Sequence, residues 1–206
     1  MDGIFITFEG LDGAGKTTQV SLLHSYLSSL GKSVFLTREP GGTGVGERIR
    51  DMLKGSFMEP ITELLLFYAS RAEHAKKIVK PMLARGDIVI CDRFVDSSIA
   101  YQVFGRGVDE KIIENLNEMT IGELKPDLTI LLKIPSHAAQ RRAQMRFEVD
   151  RWDGESNSFS NKVANGYKEL VKREPERFLV VDGTMKKEKV AENIRREIDK
   201  LLEAKK

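Results

Sequence analysis

The sequence contains a single cysteine, Cys91, so no disulfide can close within the chain. Cys91 lies in the apolar run "DIVICD", where a small core residue is expected. The three histidines, His24, His74 and His137, are far apart and lack the spacing of metal ligands, so no zinc site is expected and they read as incidental. The formal net charge is only +2, far short of the basic excess that holds a protein on nucleic acid by bulk electrostatics. No run approaches the roughly 18–20 apolar residues of a membrane span. The first ten residues have no basic start, long apolar stretch or cleavage site, so no secretory signal is expected there. Internal repeats and low-complexity linkers are also missing. What remains is 206 residues with 41% apolar and 31% charged content, enough for one buried core. One domain over residues 1–206, in the cytoplasm, is the expectation.

Five short apolar runs stand out: "IFITFE" (4–9), "SVFLT" (33–37), "IVIC" (88–91), "LTILLKI" (128–134) and "FLVVD" (178–182). They are continuous rather than alternating, as expected for strands covered on both faces. Helical patterns fill the gaps. After the first run, Val20, Leu23, Leu27 and Leu30 share one helical face and Gly31 offers a stop. Residues 44–54, 60–83, 109–119, 136–148, 158–173 and 186–204 also read as helices. Strands alternating with helices imply an α/β fold with a parallel sheet sandwiched between helices. The stretch 140–157 is charge-dense and only faintly periodic, and reads either as a solvated loop or as a moving flap.

Between the first strand and the first helix lies "FEGLDGAGKTTQ". Gly10, Gly15, Lys16 and Thr17 fit the phosphate-loop pattern G-x-x-x-x-G-K-S/T in its required strand–turn–helix setting. Glycines let main-chain N–H groups approach phosphate oxygens without a Cβ in the way. The helix start presents unpaired N–H groups and the positive end of its dipole. Lys16 is placed to reach the β- and γ-phosphates, and Thr17 to ligate Mg²⁺. Asp12 is out of place in such a cradle, because a carboxylate repels the phosphates bound there. It is expected to face a second substrate instead, accepting a hydrogen bond.

The second strand ends in "TREPGGTG" and the third in "CDRF". Ligands of open α/β sheets bind beyond the carboxyl ends of the strands, which brings Arg38, Asp92 and Arg93 to the rim of the phosphate loop. Two guanidinium forks there suit a second phosphate. Asp92 is placed to hold Mg²⁺ directly or through water, or else forms a structural ion pair with Arg93. In "LLLFYASRAEH", Phe67 and Arg71 are four apart and share a helix face. That pair reads either as a ring and a guanidinium for a planar base, or as a core residue beside a surface charge. "DSSIAYQ" adds Ser97, Ser98, Tyr101 and Gln102, as acceptor contacts or as an ordinary polar helix start.

Taken in order, "FEGLDGAGKTT", "TREPGGT", "FYASRAEH", "DRFVDSSIAYQ", "GRG" and "PDLTILL" resemble the thymidylate kinase family of nucleoside monophosphate kinases, from about Ile4 to Leu201. The resemblance implies a P-loop kinase fold, a five-stranded parallel sheet with helices on both faces and a short lid at about 140–157. It implies transfer of the ATP γ-phosphoryl group to dTMP with Mg²⁺, in dTTP biosynthesis, by a homodimer. The ATP cradle would comprise Gly10, Leu11, Asp12, Gly13, Ala14, Gly15, Lys16, Thr17 and Thr18. Asp12 matches a carboxylate near the acceptor sugar, and Arg38 and Arg93 match arginines near the acceptor phosphate. Glu39 would assist with metal-bound water. Phe67 would stack on thymine, Arg71 face a thymine carbonyl, Ser97, Ser98 and Gln102 approach the acceptor, and Tyr101 lie beneath the sugar and disfavour ribose. Gly13 and Ala14 stand where some members carry a loop arginine, so the chain resembles the type with lid arginines, here Arg142 and Arg146, with Arg141 and Arg151 nearby. Lys16, Asp12, Arg93, Arg142 and Arg146 would form the catalytic set. A same-fold kinase acting on dUMP or another acceptor, and an ATP-binding switch without transfer, are the alternatives.

Overall fold

A computed structural model describes residues 3–144 and 155–205. Five strands pair in parallel throughout: β1 (Ile4–Glu9), β2 (Val34–Arg38), β3 (Ile88–Asp92), β4 (Leu128–Lys133) and β5 (Phe178–Asp182), in the order β2-β3-β1-β4-β5. Each apolar run of the sequence supplies one strand. The side-chain period of two then sorts β1 between two faces. Ile4, Ile6 and Phe8 enter one core with Leu23 and Leu27, while Phe5 enters another with Val79, Val89 and Cys91. Thr7 and Glu9 follow Phe5 onto that second side, and both are fully buried.

The chain order places the ligand crevice. β2 and β3 lie on one side of β1, β4 and β5 on the other, so the connections leaving β1 and its neighbours part above their carboxyl ends. The register sets Phe8 beside Asp92 and Asp92 beside Arg38, so the ends of three strands come abreast.

Helix α1 (Lys16–Ser29) follows β1 through the glycine loop, with Gly15 as N-cap at φ 96°. Gly10 is required for two reasons. Its φ is 134°, and a Cβ there would lie 2.5 Å from the Leu132 carbonyl oxygen. Helix α2 (Gly44–Gly55) is capped by Thr43, whose hydroxyl accepts from Gly46 N at 2.9 Å. The helix expected over 60–83 is divided: α3 (Pro60–His74), a π-helical segment Ala75–Val79, then α4 (Lys80–Ala84). Pro81 explains the break, since it has no N–H to continue the ladder and its ring crowds the preceding turn. Helix α5 (Val95–Ser98) likewise runs into a π-helical segment, Ile99–Gly105, which carries Tyr101 and Gln102. Helices α6 (Glu110–Thr120), α7 (Ser136–Gln144), α8 (Asn157–Arg173) and α9 (Lys187–Ala204) complete the described chain. The helix expected over 136–148 is described only to Gln144.

One buried ion pair clamps α5 to the sheet. Arg177, just before β5, donates to both Asp96 oxygens at 2.7 and 2.8 Å and to Thr129 Oγ1 at 2.6 Å. Asp96 is 3% exposed, so removing the guanidinium strands a charge in the interior. Arg177→Ala is expected to destabilise the fold by about 3 kcal/mol, read as a lower urea midpoint at unchanged slope. An unchanged midpoint would remove the clamp from this account.

Candidate active site

Above the carboxyl ends of β1, β2 and β3 lies a cavity of about 350 Å³. One wall is the glycine loop, contributing Asp12, Gly13, Gly15, Lys16, Thr17 and Thr18. The facing wall carries Arg38, Glu39, Phe67 and Arg71, and the floor between them Asp92, Arg93, Ser97, Ser98, Tyr101 and Gln102. Arg142 reaches the rim and donates to the Gly183 carbonyl at 3.1 Å. Gly10, Leu11 and Ala14 are buried behind the loop rather than lining the cavity. Arg146 and Arg151 lie outside the described residues.

In the loop, the Lys16 ammonium donates to the carbonyls of Gly10 at 3.2 Å and Leu11 at 3.1 Å. Burial, reinforced by Arg93, pushes its pKa down to about 8 against the pull of Asp12, Asp92 and Glu9. Thr17 donates to Asp92 Oδ2 at 3.2 Å, while Asp92 Oδ1 is buried with no hydrogen-bond partner.

Arg93 occupies the middle of the floor. Its φ of 74° is left-handed, a strained setting for a residue with a side chain. Its N–H is held by the Phe8 carbonyl at 2.9 Å, and its own carbonyl accepts from the Cys91 thiol at 3.0 Å. Nη2 donates to Asp12 Oδ1 at 2.8 Å and to the Tyr101 hydroxyl at 3.2 Å, and Nη1 to Ser97 Oγ at 2.9 Å and the Tyr167 hydroxyl at 3.3 Å. Burial pushes the Asp12 carboxyl up, but Arg93 and Lys16 outweigh it and hold the group well below the usual carboxylate range. The expected outward turn of Asp12 therefore ends on Arg93 and Tyr101, whose hydroxyl reaches Oδ2 at 3.0 Å.

Arg71 is 1% exposed, which rules out the surface-charge reading. Nε donates to Glu39 Oε2 at 2.7 Å, and Nη2 to Ser98 Oγ at 3.0 Å and the Phe94 carbonyl at 3.2 Å. Nη1 is buried without a partner. Phe67 lies on the same wall, and Gln102 is anchored by its amide to Glu63 at 2.7 Å. Glu39, expected to assist with metal-bound water, lines the cavity, and its carboxylate is engaged by Arg71 and by His74, whose Nδ1 lies 2.9 Å from Oε1. His74 is correspondingly not incidental: it bridges Glu39 to the Thr37 hydroxyl, 2.6 Å from Nε2. Arg38 is half-exposed and paired with Glu47 at 2.8 Å.

Sequence reasoning missed Glu9, Arg50 and Tyr167. Arg50 lines the cavity and donates to the Pro40 carbonyl at 3.0 Å. Its one available signal was its spacing, three residues after Glu47 on the helix that follows the "TREPGGTG" loop.

A family profile described as thymidylate kinase matches residues 8–194. The chain belongs to the thymidylate kinase family. A thymidylate kinase of Trichlorobacter lovleyi is 44% identical over 200 residues, covering 93% of this chain and 94% of that one. One of Thermomicrobium roseum is 48% identical over 193 residues, covering 92% and 91%. The crystal structure of thymidylate kinase from Ehrlichia chaffeensis superimposes with a TM-score of 0.81 at 36% identity, over 97% of this chain and 100% of that one. The two-walled cavity is thus found in a chain related to its family along nearly its whole length.

The loop geometry makes one direct prediction. Lys16→Met keeps the bulk of the side chain and removes a buried ammonium, so the melting temperature should hold or rise. Turnover of ATP should fall on the order of 100-fold or more. A folded variant with full turnover would remove Lys16 from the site.

Proposed function

We infer that the protein transfers the γ-phosphoryl group of ATP to dTMP, giving dTDP and ADP, within dTTP synthesis. The observation that carries the acceptor assignment is Arg71 Nη1, a buried donor without a partner in a cavity wall shared with Phe67. A guanidinium left unsatisfied in the interior is costly, and a base carbonyl meeting it would offset that cost. Phe67 offers that base a ring face.

The residues fit Mg²⁺ at the donor side, because Asp92 Oδ1 is an orphaned acceptor beside the Thr17 hydroxyl. Thr17 and Asp92 would hold the ion, which when bound neutralises charge on the transferring phosphate oxygens. Glu39 takes a supporting role, fixing Arg71 and His74.

The acceptor phosphate oxygen is already a nucleophile, so no strong base is required. It attacks the γ-phosphorus in line as the bond to the β–γ bridging oxygen breaks, and the electron pair leaves on ADP. Main-chain N–H groups of the loop and Lys16 hold the donor phosphates. Arg93, with Arg38 and Arg50 nearby, grips the acceptor phosphate. Asp12 and Tyr101 hold Arg93 in place, and the Tyr101 ring underlies the sugar. Ser98 and Gln102 frame the base. Arg142 at the rim would add positive charge and help a lid exclude water; the companion reading of Arg146, in the expected lid 140–157, falls outside the described residues. A single P-loop kinase domain carries all of this.

A homodimer is the proposed assembly. Met52, Phe57, Ile61 and Leu65 expose apolar surface along α2, α3 and the turn between them, and a second copy would cover it. No helix among the described residues is long and apolar enough to cross a membrane, and the cytoplasm is the proposed compartment.

Coupled ADP release over a panel of nucleotides tests the reading. dTMP should be the best acceptor, with dUMP weaker and purine monophosphates far weaker. Tight ATP binding with no transfer to any monophosphate would instead make the protein a switch.

A further inference from the structure

Glu9 ends β1 and is fully buried, yet among the described residues no cation lies within ion-pair distance of it. Three donors converge on its carboxylate. Phe94 N reaches Oε1 at 2.8 Å, while Ser97 Oγ at 2.6 Å and the Tyr167 hydroxyl at 2.8 Å both reach Oε2. They come from the β3–α5 junction, from α5 and from α8. A buried carboxylate is costly without a paired charge. The direction of the hydrogen bonds supplies a reason to keep it.

Arg93 Nη1 donates to the oxygens of Ser97 and Tyr167. A guanidinium accepts nothing, so both hydroxyl protons must point elsewhere. The two hydroxyls lie 3.0 Å apart, so one proton can bridge them, and the other must go to Glu9 Oε2, the acceptor that both reach. We propose that Glu9 is a positioning residue for phosphoryl transfer: it takes at least one proton from the hydrogen-bonded Ser97–Tyr167 pair, keeps lone pairs of both turned onto Arg93, and so fixes the guanidinium that holds the acceptor phosphate. The proposal rests on the reading of Arg93 given above. It extends that reading to a residue behind the cavity wall and to α8, which no phosphate-loop motif reaches.

The charge on Glu9 is finely held. Burial pushes its pKa up to about 7, and Asp96 of α5 adds to the rise, against Arg93, Ser97 and the Phe94 N–H. Lys16 of α1, Arg71 of α3, Cys91 of β3 and Tyr167 of α8 also lie within its field. Above pH 7 the carboxylate serves all three donors. Below it, the carboxyl takes a proton and the negative charge behind Arg93 is lost.

Glu9→Gln tests this, because an amide of the same shape offers one acceptor oxygen to three donors. With the melting temperature recorded, the dTMP KM at pH 8 should rise on the order of tenfold, while the ATP KM stays within about twofold. The ratio of variant to wild-type dTMP KM should shrink toward one between pH 8 and pH 6, as the wild type loses the same charge. The acceptor phosphate, with a second pKa of about 6, titrates in both proteins and cancels in that ratio. Tyr167→Phe removes one acceptor from Arg93 without a buried charge change, and should raise the dTMP KM by a smaller factor. If Glu9→Gln does not fold, an unchanged dTMP KM in Tyr167→Phe overturns the proposal. A folded Glu9→Gln with wild-type dTMP KM, or a ratio independent of pH, overturns it while leaving the kinase reading intact. A wild type that phosphorylates no dTMP overturns both.

Discussion

The contact between Arg93 Nη2 and Asp12 Oδ1, 2.8 Å apart, joins the two halves of the site. Asp12 belongs to the glycine loop, and Arg93 to the turn between β3 and α5. Parallel pairing brings them together: Phe8 lies beside Asp92, and the Phe8 carbonyl holds the Arg93 N–H. The left-handed turn at Arg93 follows from these constraints, since its main chain is tied to β1 while its side chain must reach back toward the loop. Strain of this kind persists where surrounding contacts over-determine it.

Around that contact the charges constrain one another. Lys16 is pushed toward neutrality by burial and by Arg93, while Asp12 is held ionised by both cations. The Lys16 ammonium donates to two loop carbonyls, and Arg93 donates to Asp12 and three hydroxyls. On the function proposed above, a phosphate entering on either side would find these donors already assembled. Such preorganisation is how a phosphoryl-transfer site lowers its barrier without covalent chemistry of its own.

Much of this was legible in the sequence for physical reasons. Continuous apolar runs gave away the strands because a parallel sheet is buried on both faces. The glycine loop was legible because its spacing is set by phosphate geometry. Phe67 and Arg71 were visible as a pair but not as buried, since a four-residue spacing names a face without saying what covers it. Glu9 read as the tail of a strand, and Tyr167 lay within the helix expected over 158–173 with nothing to single it out. Their meeting depends on tertiary packing across 158 positions. His74 was misjudged for the same reason: its bond to Glu39 spans β2's end and α3. The two π-helical segments escaped because a 3.6-residue pattern does not register one inserted residue.

The central claim is that Asp12 and Arg93 act as one unit joining donor and acceptor sites. A double-mutant cycle of Asp12→Asn and Arg93→Lys, read in kcat/KM for dTMP, measures that directly. The account predicts strong non-additivity, a coupling of about 2 kcal/mol, with the second substitution costing little once the first is made. Losses that simply add would mean the two residues serve their substrates independently, and would contradict it.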